Sequence, residues 1–131
     1  MYNILIIGKG ELFSSVVKYL FNNKSKDWIT TYPYDQFLFL QSVVKEKDNY
    51  QELSNLQNYK RIYLFPENVH EGILLTSFIS EWYLGELFIV TQDHGSNFIY
   101  KKLGAEYVII SKPNFKTYQW FPEQSKGSLL N

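Results

Sequence analysis

The residues best placed to do chemistry lie near the start of the chain, in Gly8-Lys9-Gly10-Glu11-Leu12-Phe13. The apolar run Ile4-Leu5-Ile6-Ile7 ends at once in Gly-x-Gly, and an amphipathic helical pattern follows through Leu20. Strand, tight turn and helix N-terminus, in that order, open a dinucleotide-binding βαβ unit. Glycine at 8 lets the chain reverse, and glycine at 10 lets backbone approach a pyrophosphate. The helix start then offers its partial positive charge to the anion. The third glycine of this fingerprint falls at position 13, where the chain has Phe13. A phenyl ring denies the close helix–strand contact that glycine gives, so the motif argues for the fold and against a tight cofactor site.

Other groups weaken the cofactor chemistry further. A dinucleotide site places an acidic residue about 20 positions past the glycines to bind the ribose hydroxyls. The second strand ends here in Tyr32-Pro33, and Asp35 reads at least as well as the cap of a following helix. Glu11 either caps its own helix, where the dipole favours a carboxylate, or competes with a phosphate for the same amides. His70 and His94 each follow a strand, and both read most simply as loop histidines in water. Neither has the anchored partner that a metal site needs. No Gly-x-Ser-x-Gly elbow appears, and no Gly-Lys-Ser/Thr follows the glycines, so hydrolase and P-loop chemistry have no support.

The elements that must hold these groups alternate along the chain. Expected strands lie at 3–7, 28–32, 42–45, 61–65, 87–91 and 107–110, with helices near 11–22, 68–83 and 96–103. On the first helix Leu12, Val16, Tyr19 and Leu20 form one stripe; on the long one Ile73, Leu74, Phe78 and Trp82 are spaced for burial, with Gly85 as its stop. Between 35 and 47 two readings compete: a short helix then a brief strand at Ser42-Val43-Val44-Lys45, or one helix throughout. Strands alternating with helices predict an α/β fold, a parallel sheet with helices on both faces. The order 3-2-1-4-5-6 would make it a Rossmann-like doubly wound sheet of about six strands.

Composition bounds the rest. The 131 residues suit one core, and 13 basic residues cancel 13 acidic ones, without the basic excess of a nucleic-acid binder. The chain has no cysteine, which excludes disulfides, thiolate metal sites and a cysteine nucleophile. No apolar run approaches the roughly 20 residues that span a bilayer, and no leader pattern opens the chain. The expectation is a cytoplasmic protein without membrane insertion. Aromatic residues make up 18%, and Phe115, Tyr118, Trp120 and Phe121 crowd the tail. The tail at 114–131 either docks on the domain at 1–113 or forms a subunit contact.

The later half carries a family likeness. Leu87-Phe88-Ile89-Val90-Thr91, a polar loop and Lys101-Lys102-Leu103-Gly104-Ala105-Glu106-Tyr107-Val108-Ile109, with the opening Ile6-Ile7-Gly8-Lys9-Gly10, resemble an RCK, or TrkA N-terminal, domain. The resemblance spans most of residues 3–113. It implies a non-enzymatic regulatory domain of potassium transport that binds NAD(H) or an adenine nucleotide and pairs into a homodimer. A membrane potassium transporter or channel subunit would be its partner. Carried over by position, the cofactor set is Gly8, Lys9, Gly10, Glu11, Leu12, Tyr32, Asp35, Glu46 and Phe65. With Phe13, Glu11 and the missing ribose acid, that site is expected to be degenerate, binding a nucleotide weakly or none.

Two other readings compete. An NAD(P)-dependent oxidoreductase would share the fold but needs a catalytic acid or base from a substrate domain. Gly104-Ala105-Glu106-Tyr107 followed by Lys112-Pro113 also resembles the last strand of a response-regulator receiver. A receiver holds Mg²⁺ through an acidic pair after its first strand, beside a phosphorylated aspartate. This chain has Gly8-Lys9-Gly10 and Phe65-Pro66 in those places, which counts against that signalling chemistry.

Overall fold

The computed structural model describes residues 3–22, 29–33 and 55–111. Five strands alternate with helices: β1 (Ile4–Gly8), α1 (Glu11–Asn22), β2 (Ile29–Pro33), β3 (Arg61–Phe65), α2 (Val69–Trp82), β4 (Glu86–Thr91), α3 (Asn97–Lys102) and β5 (Tyr107–Ile110). Short 3-10 turns at Asn55–Asn58 and His94–Ser96 precede β3 and α3. Every strand pair among the described residues is parallel, in the order β2-β1-β3-β4-β5. That is the flavodoxin-like doubly wound order. The five described strands take the places expected of them in the order 3-2-1-4-5-6, and the brief third strand expected at Ser42–Lys45 lies outside the described residues.

Strand sequences explain the sheet's central position. All five residues of β1 are buried, and β3 and β4 are buried beyond their first residues. Strands covered on both faces have no solvent side to alternate with, so they read as continuous apolar runs. One face packs Leu5, Ile7, Ile62, Leu64 and Ile89 against Leu75 and Ile79 of α2 and Tyr100 of α3. The other packs Ile4, Ile6, Tyr63, Phe65 and Val90 against Leu12, Val16 and Leu20 of α1.

The α1 stripe is as expected, with Tyr19 half-buried at its edge. The α2 stripe is rotated from the expected one. Gly72, Leu75, Thr76 and Ile79 face inward, Ile73, Phe78 and Trp82 flank them, and Leu74 is exposed. The cause is Gly72, where a side chain would collide with the Tyr100 ring; the helix turns its bare backbone to α3 there. Gly85 does not stop α2 by a left-handed turn. Tyr83 ends the helix in an extended conformation, and its phenol occupies the space beside Gly85. That phenol donates to the Tyr59 carbonyl at 2.7 Å, and burial pushes its pKa up to about 12.

The run Leu103-Gly104-Ala105 is a helix stop. Gly104 has φ +121°, its N–H donates to the Lys101 carbonyl at 3.2 Å, and the Ala105 N–H donates to Tyr100 at 3.0 Å. These paired bonds satisfy the last carbonyls of α3, as a Schellman motif does.

Candidate functional site

In this sheet order the crossovers from β1 and from β3 leave in opposite directions. Ligands of open α/β sheets bind at such a switch point, beyond the carboxyl ends of the strands. A cleft of about 400 Å³ lies there, lined by Lys9 to Leu12, Phe65 to Val69 and Thr91 to Asp93. These are the segments that follow β1, β3 and β4.

The turns after β1 and β3 fit into one another. Gly8 pairs with Phe65 in the sheet register. A Cβ at Gly8 would come within 2.8 Å of Phe13 Cδ1 and of the Phe65 backbone oxygen, and closer still to Phe65 Cβ. The first glycine therefore makes room for the Phe13 ring and for the Phe65 Cβ and carbonyl, and the two phenyl rings meet edge to face at 6.0 Å and 64°. The Phe13 ring thus turns into the space that Gly8 leaves. Gly10 has φ +98°, a backbone open to glycine at little cost. The three atoms nearest to where its Cβ would stand all belong to Glu67, with Oε2 at 3.4 Å. Glu67 in turn pairs with Lys9 at 3.8 Å, both side chains being about half exposed. The Lys9 N–H donates to the Phe65 carbonyl at 3.2 Å and ties the two turns together.

Both helix starts at the cleft carry their own carboxylates. Glu11 is the first residue of α1. At α2 the Asn68 side chain accepts from the Glu71 N–H at 2.9 Å, and Glu71 accepts from the Glu67 N–H at 3.2 Å. That is close to a capping box, which satisfies the free amides from within. On the third side Thr91 is buried and its Oγ1 accepts from the Asp93 N–H at 3.1 Å. Asp93 Oδ1 accepts from Gly95 N–H at 2.9 Å.

Of the expected cofactor set, Lys9, Gly10, Glu11, Leu12 and Phe65 line this one cleft, and Gly8 lies directly beneath it. The Tyr32 backbone pairs with Ile7 near the end of β2. Asp35, Glu46 and the aromatic tail at 114–131 lie outside the described residues. His70 and His94 are exposed, and no group of three or more His, Cys, Asp or Glu could hold a metal among the described residues. The sequence reading assigns Glu67, Thr91 and Asp93 no place in this cleft. Their signal was available, since each sits at or just after the carboxyl end of β3 or β4.

The chain matches no protein-family model and no curated protein. Among solved structures it is similar to a response regulator protein from Burkholderia pseudomallei, crystallised with a phosphorylated aspartic acid, calcium ion and citrate. The TM-score is 0.56 at 12% identity, covering 99% of this chain and 71% of that one. The chain therefore shares its fold with that protein, and nothing in the comparisons points to an RCK/TrkA-N domain, which overturns that resemblance and, with it, the NAD-binding and potassium-transport reading. The run from Lys101 to Ile109 that carried the resemblance is a helix stop followed by a strand, a local device of doubly wound folds in general. No helix among the described residues is long and apolar enough to cross a membrane.

Proposed function

We propose that this protein is a non-enzymatic regulatory domain of receiver architecture that acts by binding, without phosphoryl transfer and without a dinucleotide. One observation carries the reading: the cleft's own side chains fill the places where a receiver keeps its reactive groups. Lys9 follows β1 where an acidic pair would hold Mg²⁺, and an ammonium has no lone pair with which to ligate a metal ion. Phe65 ends β3 where a phosphoacceptor aspartate would stand, and it is 1% exposed. A phenyl ring has no oxygen to take a phosphoryl group.

A neighbouring group supports the same reading. The Glu67 carboxylate lies over Gly10, where a phosphate would need to approach the backbone, and like charges repel. The test is incubation with acetyl phosphate and Mg²⁺, followed by intact-protein mass measurement. The expected product is unmodified protein. An acid-stable, base-labile phosphoryl adduct on an aspartate or glutamate of the cleft would overturn the proposal.

A further inference from the structure

We propose that the switch-point cleft takes a cationic group on an apolar stem, a guanidinium or ammonium, rather than an anion. The inference deepens the binding reading above and rests on it. The cleft is about 400 Å³, within the range of small-ligand sites, which runs from roughly 300 to 1,000 Å³. Its floor is apolar: Phe65 and Leu12 are buried, and Val69 is half-buried beside them.

Its rim is acidic. Among the described residues three carboxylates, Glu11, Glu67 and Asp93, line it with one ammonium, Lys9, which already faces Glu67 at 3.8 Å. The features that draw anions to this place in other α/β sheets are met from within. The positive-φ turn at Gly10 lies under the Glu67 side chain. The N-terminus of α2 is capped by Asn68 and Glu71, and Glu11 stands in the first turn of α1. What remains is a hollow with a greasy floor and excess negative charge. A basic group is drawn to the rim while its methylene stem covers the floor, as long basic side chains do on apolar surfaces. The ligand could be a free polyamine-like amine or an arginine or lysine side chain offered by a partner protein, and the chemistry recognised is the same.

The experiment is an amide-resolved NMR titration of the full chain with agmatine, with an arginine-containing peptide, and with inorganic phosphate. Shifts should cluster at Lys9 to Leu12, Glu67 to Val69 and Gln92 to Asp93, with an agmatine dissociation constant of about 1 mM or tighter. Phosphate should leave those amides unmoved. The double variant E11Q/D93N, which keeps side chains able to cap, should weaken agmatine about tenfold, a change of about 1.4 kcal/mol. The exposed control E81Q, on α2 away from the cleft, should not. Tighter binding of the peptide assigns the cation to a partner, and tighter binding of agmatine assigns it to a free amine. An absence of cleft shifts with either cation, equal affinity in E11Q/D93N, or phosphate binding at these amides would overturn the inference. A phosphoryl adduct in the labelling experiment would instead defeat the parent reading, so the two failures are distinguishable.

Discussion

Two strand-to-helix turns meet at the switch point, and they are built in opposite ways. The turn after β1, Gly8-Lys9-Gly10, carries little side-chain bulk; the turn after β3, Phe65-Pro66-Glu67, carries a great deal. Each glycine of the first faces a side chain of the second, Gly8 against Phe65 and Gly10 against Glu67. The comparison teaches that a Gly-x-Gly turn is a vacancy whose occupant the turn itself does not specify. In a dinucleotide site the vacancy is for pyrophosphate. Here Phe65 and the Glu67 carboxylate from the neighbouring turn, with the Phe13 ring from α1, fill it.

The largest expected effect comes from closing the vacancy under Phe65. Gly8→Ala places a methyl against the Phe65 Cβ and backbone oxygen, which cannot rotate away. Overpacking of this kind costs typically about 1–3 kcal/mol, and the backbone contact puts this case at the upper end. Urea denaturation should show that loss; a change below about 0.5 kcal/mol would mean the two turns are not tightly fitted. Capping of the second turn comes next. Asn68→Ala removes the acceptor for the Glu71 N–H and should cost about 1 kcal/mol. Asn68→Asp should restore most of it, whereas equal stability of both variants would show that the cap is idle. The smallest effect belongs to the ion pair. Lys9 and Glu67 are each about half exposed, so Lys9→Ala should change stability by less than about 1 kcal/mol in low salt and less again in high salt. A larger, salt-insensitive loss would show that the pair holds the turns together.

Much of the fold was legible in the sequence, and specific residues show why. Ile4 to Ile7, Ile62 to Phe65 and Leu87 to Val90 are hydrophobic throughout, because strands covered on both faces need no polar side. The α1 stripe was legible because Leu12, Val16 and Leu20 pack in one cluster with the strand residues Ile4, Ile6, Tyr63 and Val90. The α2 stripe was not, because Tyr100, 28 positions beyond Gly72, decides which side of that helix turns inward. A hydrophobic count gives glycine no weight, so the pattern pointed to Leu74 instead. The cleft was half legible. Lys9 to Leu12 announce themselves through the glycines, but Glu67 matters only because parallel pairing sets Gly8 beside Phe65. That pairing joins positions 57 apart, and no local pattern records it.

The family resemblance misled for a related reason. Gly104 with φ +121° and the paired bonds at Gly104 and Ala105 are what a short helix needs in order to stop before a strand. Such a run marks a helix-to-strand turn in many parallel α/β folds. It carries the local geometry faithfully and says little about ligand or partner.

The central claim is that Glu67 and Phe65, rather than a ligand, occupy the glycine turn. Calorimetric titration of the unmodified protein with NADH tests it most directly, since NADH brings the pyrophosphate for which a free Gly-x-Gly turn is shaped. The account predicts no saturable heat, or a dissociation constant in the millimolar range, where binding is worth about 4 kcal/mol. A dissociation constant below about 10 µM would contradict it, because the glycine turn would then be open to the cofactor.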